Sequence, residues 1–148
     1  MRQRFGAILF LLLAVAVVSL ARKEETLEQL IARADAAKPD QQPDLYMQVA
    51  EREFKAVNDA YKANQSAQFR GALQDLVKYS DSAHSSAMHA NKHIKRTEIK
   101  IREITNKLRD LKLNVDVDDQ PGVQAAIDRL EGFRTELLHS MFGSKNND

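Results

Sequence analysis

His84, His89 and His93 crowd one short stretch of the chain, with Met88 between them, and only His139 lies elsewhere. Imidazole nitrogen and thioether sulfur are ligands for borderline or soft metals such as zinc and copper. His89 and His93 are four residues apart, the spacing that puts two side chains on one face of a helix. These two are therefore the metal-binding candidate. Two helical ligands fall short of the usual complement, however, and His139 sits far along the sequence. The ordinary alternative is a solvent-exposed pair.

A second set of oxygens occurs at Asn114, Asp116, Asp118 and Asp119. A calcium loop would need glycine where Asp119 stands and a closing glutamate where Ala125 stands. The segment is expected to be a helix-capping loop, with Asp119 at the start of the last helix. No cofactor is expected, and the absence of cysteine excludes thiolate chemistry and disulfides. Serines and histidines between Ser82 and His93 lie along one predicted helix and point in different directions around it. No nucleophile and base are thereby brought together, so an enzyme is not expected.

Eight basic residues lie between Lys92 and Lys112, against Glu98, Glu103 and Asp110. Such a stripe could meet an anionic surface or an acidic partner. The usual arrangement is a solvated helix face whose charge is balanced by acids on the first two helices. Nucleic acid is not expected as a ligand, because no aromatic residue lies in the stretch to stack a base.

The elements that must position these groups read as helices throughout. Glycine and proline are sparse, and helix-forming residues dominate after residue 22. Leu27, Leu30, Ile31 and Ala34 define a first amphipathic helix within 24–38, opened by a Thr26/Gln29 capping box and closed before Pro39. A second helix is expected over about 44–64, with Met47, Ala50, Phe54, Val57 and Tyr61 on its stripe. From Phe69 to Leu111 apolar or small residues recur in seven-residue register through Leu76, Ala83, Ala90, Thr97, Ile104 and Leu111. No proline interrupts them, which predicts one rod of ~70 Å at 1.5 Å per residue. A last helix follows Pro121, carrying Val123, Ile127, Leu130, Phe133, Leu137 and Met141, and Gly143 is placed to end it.

The expected fold is thus all-α, an antiparallel, coiled-coil-like bundle of four helices built on one long third helix. In the middle of the rod the seam narrows to Ser80, Ala83, Ala87 and Ala90. Such small residues admit either close internal packing of the first two helices or a homodimer through that seam.

Ahead of all this, Arg2 and Arg4 precede a nearly unbroken apolar run from Phe5 to Leu20. The run is short for a membrane span, which needs ~20 apolar residues, and Ser19-Leu20-Ala21 puts small residues at the positions that signal peptidase favours. The expected organisation is a signal peptide over 1–21, a helical domain over 22–143 and a loose tail over 144–148. An uncleaved anchor is the alternative.

Two resemblances follow from these segments. Ala60-Tyr61-Lys62 through Phe69, Leu73 and Leu76 resembles the turn of one tetratricopeptide-like helix pair, without a second copy at the repeat period. The whole chain, including Thr97-Glu98-Ile99-Lys100-Ile101-Arg102 and Leu130-Glu131-Gly132-Phe133, resembles exported helical bacterial proteins without an assigned activity. That resemblance implies a periplasmic or secreted location. The resulting expectation is a non-enzymatic helical binding or scaffold protein with a protein partner, or alternatively an envelope metal-binding or stress-related protein using His89 and His93.

Overall fold

The computed structural model describes residues 24–143, so the expected signal peptide and tail lie outside the described residues. The described residues form five α-helices and no strand: α1 Leu27–Ala36, α2 Gln42–Lys62, α3 Ser66–Ala90, α4 Ile94–Lys112 and α5 Gln120–Phe142. The local signals for these helices are chemical. Thr26 accepts from the Gln29 backbone N–H while the Gln29 side chain accepts from that of Thr26, the reciprocal box expected at the start of α1. Pro43 and Pro121 stand in the first turns of α2 and α5, where a missing N–H costs nothing. Asp119 occupies the N-cap position of α5, but its carboxylate makes no capping bond and is taken by Arg70 instead.

The predicted rod is broken. It is two helices, α3 and α4, separated by Asn91, Lys92 and His93, with Asn91 and His93 at φ 49° and 60°. At this break the Asn91 N–H donates to Met88 O and the Lys92 N–H to Ala87 O. This is the Schellman arrangement, which satisfies the last carbonyls of a helix by turning one residue left-handed. The same pattern ends α2, where Asn64 has φ 53° and the Gln65 N–H donates to Ala60 O. Asparagine tolerates this backbone better than most residues, which lets it serve where glycine is usual. The seven-residue register nonetheless survives on both sides. Phe69, Leu73, Leu76, Ser80, Ala83 and Ala87 are buried on α3, and Thr97, Ile101, Ile104, Leu108 and Leu111 on α4. The pattern marks which side chains face the core but does not show that the core stays on one straight line.

Asn91→Ala is expected to lower stability by about 1 kcal/mol, because a Cβ without a polar group is penalised at positive φ. Asn91→Gly should leave it unchanged or higher. Thermal melts of the two variants check this.

Because the chain folds back at Asn91, α4 runs against α3 and alongside α2. Arg96 near the start of α4 holds Asp44 near the start of α2 at 2.7 Å, and Lys100 pairs with Glu51 one step further along both. At the other end the Tyr61 hydroxyl donates to Asn114 O. In α5 the direction reverses again, as Arg109 to Glu131 and Arg134 to Glu98 show, so α5 lies parallel to α3. The short α1 lies antiparallel on α2, and the Tyr46 hydroxyl donates to Asp35 at 2.8 Å. Burial, and then that bond to Asp35, push the Tyr46 hydroxyl up to about 12.

The core draws on every helix, through Leu30, Met47, Val57, Leu76, Ile101, Leu108, Leu130 and Leu137, all fully buried. Ser80, Ala83 and Ala87 are also at 0% exposure, so the small-residue seam is filled by the chain's own helices. The expected bundle of four helices built on one long third helix gives way to two helical hairpins, α2–α3 and α4–α5, packed side by side, with α1 against α2.

Candidate functional site

The break between α3 and α4 decides the fate of the histidine pair. His89 is exposed in the last turn of α3, whereas His93 has left that helix and stands just before α4. The helical juxtaposition that made them joint ligands is therefore absent. The His93 Nδ1 instead lies 3.4 Å from Asp44 Oδ2, a carboxylate that Arg96 also holds. Among the described residues no group of three or more histidine or acidic side chains is arranged to hold a metal ion.

The histidine that the fold buries is His84. It is 7% exposed on α3, and its ring stacks on Phe133 of α5 with centroids 5.1 Å apart and planes 19° from parallel. Its Nε2 approaches Glu136 Oε2 to 3.0 Å and its Nδ1 faces Asp81 Oδ1 at 3.7 Å, yet neither nitrogen makes a hydrogen bond of good geometry. The two nitrogens face different carboxylates on different helices, so they do not converge on one ion. One turn before it, the Ser80 hydroxyl is fully buried and unpartnered, and so is that of Thr97 on α4. The polar atoms of all three side chains are closed off from solvent. The arrangement stitches α3 to α5 and has the form of a structural contact.

Two buried carboxylates were not legible as such. Glu98, at 4% exposure, accepts from Arg134 Nε at 2.6 Å, and this bond pushes the guanidinium upward from its ordinary value. Glu53, at 5% exposure on α2, has no such partner. Burial raises its carboxyl above the usual 4.5, Asp75 raises it further, and Lys78 pulls it back. The sequence carried a signal for Glu53. Met47, Ala50, Glu53, Val57 and Ala60 keep three-and-four spacing and are all buried, while Phe54 and Tyr61, assigned to the stripe in place of Glu53 and Ala60, are half-buried on its flank.

The folded chain holds the Glu53 proton more tightly than the unfolded chain does. Its contribution to stability is therefore full below the unfolded value and is lost as pH rises through the raised folded value. Glu53→Met is expected to add about 1 kcal/mol at neutral pH, since it removes an unpaired buried acid. It should also remove this component of the pH dependence, which urea unfolding at about pH 5 and about pH 8 would read.

A concave surface does exist between α3 and α5. Phe69, Leu73 and Val77 face Gly122, Ala125 and Ala126 across a trough of about 420 Å³ with a mainly apolar lining. The trough exists because α5 presents almost no side chain there. A Cβ built on Gly122 would meet Leu73 Cδ2 at 3.8 Å, which is ordinary contact. Charges stand along the trough's length. Arg70 holds Asp119 at 2.7 Å and Asp118 is exposed beside them, while further along Arg129 covers the Phe133 ring at 4.9 Å and reaches Asp81 at 3.9 Å.

No family model, curated protein or solved structure matches this chain. What the surface can do follows from its own atoms. The basic stretch is partly compensated within the molecule, three of its eight cations meeting an acid. Arg96 and Lys100 meet Asp44 and Glu51 on α2, as expected, and Arg109 meets Glu131 on α5. Lys107 lies over the Phe54 ring at 5.8 Å, and Lys112 donates to Gln124. Lys92, Lys95 and Arg102 are exposed. The Asn114–Asp119 loop does not gather its oxygens: Asn114 O accepts from Tyr61, Asp119 belongs to Arg70, and Asp116 and Asp118 face solvent. Among the described residues no helix is long and apolar enough to cross a membrane.

Proposed function

We propose that this chain is an exported, periplasmic or secreted, non-enzymatic helical protein that binds or scaffolds a protein partner, its mature part an up-and-down bundle behind a cleaved signal peptide. One observation carries the binding half of this reading. The polar groups capable of chemistry in the core, His84, Ser80 and Thr97, are sealed there, whereas one concavity open to solvent, between α3 and α5, is an apolar trough with charged edges. Such a surface recognises another polypeptide by area and charge pattern. The exported half rests on the basic start and the apolar run from Phe5 to Leu20.

Two measurements test the reading. The intact mass of the chain from periplasmic or culture-medium fractions should correspond to a polypeptide beginning at Arg22. Affinity capture from envelope extract should retain a discrete protein, equally well with and without a chelator. Full-length chain folded in the cytosol would overturn the export half, and retention that a chelator abolishes would overturn the metal-independent binding half.

A further inference from the structure

The charges around the α3–α5 trough are ordered, and their order is opposite on the two helices. On the α5 side an acid, Asp118, comes first and a base, Arg129, follows eleven residues later. On α3 a base, Arg70, comes first and an acid, Asp81, follows after the same eleven residues. Eleven residues are close to three turns of helix, so Arg70 and Asp81 share one face of α3, about 16 Å apart. Because α3 and α5 are parallel, Arg70 lies beside Asp118 and Asp119 at one end, and Asp81 beside Arg129 at the other.

Asp119 is already held by Arg70 within the chain, and the three acids and two bases together come to a single negative charge, which gives a small ion little to select. The four charges at the corners, Arg70, Asp81, Asp118 and Arg129, alternate in sign. They are complementary to themselves under a half-turn. A two-fold axis crossing the trough at its middle reverses the direction of both helices, bringing minus onto plus along α5 and plus onto minus along α3. This is the self-complementarity an isologous contact requires. The middle of the trough is the matching apolar part, where Gly122 and Ala125 are exposed and small enough to let another helix approach closely. The guanidinium-bearing side chains are well placed to reach outward, with 60% of Arg70 and 64% of Arg129 exposed.

We propose that a second copy of this chain docks in the trough, antiparallel to the first. Asp118 pairs with Arg129 of the second copy, and Arg70 pairs with Asp81 of the second copy, each twice by symmetry. The apolar troughs close on one another between them. The homodimer read from the Ser80, Ala83, Ala87 and Ala90 seam is thereby moved to a different surface, because three of those four side chains are sealed inside one chain. This rests on the reading of the trough as a polypeptide-binding surface and names its occupant.

Sedimentation velocity on the purified chain over a concentration series tests this. The expected result is a monomer–dimer equilibrium. Arg129→Glu should weaken the dimer about tenfold or more, since it sets two acids against each other at each symmetric pair. The double variant Asp118→Arg with Arg129→Glu should restore it, because the charge order is reversed but still self-complementary. Ala125→Trp should abolish the dimer by filling the trough, and its melting curve should match that of the wild type, since Ala125 is exposed. A wild-type chain that stays monomeric at every concentration overturns the proposal, including one whose trough takes up another protein instead. So does a dimer indifferent to Ala125→Trp, or one that the double variant fails to restore.

Discussion

Arg134→Met is expected to destabilise the chain by about 3 kcal/mol, because it strands a carboxylate that the fold has already taken out of water. Glu98 keeps 6% of its side chain exposed, against 27% for Arg134, so the cost of an unpaired charge falls on the acid. The arginine bonds Glu98 through Nε at 2.6 Å and reaches Glu131 through Nη1 at 3.5 Å, tying α5 to α4 and to the preceding turn of its own helix. A buried pair is seldom worth much over an apolar replacement of the same shape, but half of one is costly. Glu98→Met combined with Arg134→Met should accordingly recover most of the loss. Chemical denaturation of the two single variants and the double variant separates these terms, and a double variant no more stable than Arg134→Met would show that the pair is not what holds α4 to α5.

Phe133→Ala is expected to cost more, about 4 kcal/mol. Its ring is 4% exposed and does three things at once: it fills the core, stacks on His84, and gives Arg129 a face to lie over. Without it the imidazole loses its apolar cover, and its two nitrogens, neither of which has a well-formed hydrogen bond, border a cavity. Phe133→Leu should recover part of the loss by refilling volume without restoring the stack. The difference between the two variants, read from urea unfolding, measures what the aromatic contact adds beyond burial; equal losses would mean that the stack adds nothing.

Helix ends were the most legible part of this fold. Thr26 with Gln29 marked the start of α1, prolines opened α2 and α5, and spaced apolar residues named the buried face of nearly every helix, because these signals act over three or four residues of backbone. The break after α3 was not legible. Asn91 is no stronger a stop signal than many asparagines inside helices, and a seven-residue register is indifferent to whether the helix carrying it is straight or folded back. Losing the rod removed with it the shared face of His89 and His93, since a spacing of four has meaning only while the helix continues.

All-α character, the candidate buried faces and most helix boundaries were therefore determined by the amino-acid sequence alone, through local hydrogen bonding and the burial pattern of single helices. Tertiary structure alone decided that α4 returns along α2, that Glu98 is inside, that His84 meets Phe133, and that α3 and α5 lie parallel with a trough between them. Those outcomes depend on which surfaces from distant parts of the chain come to share a core, and no window of neighbouring residues contains that information.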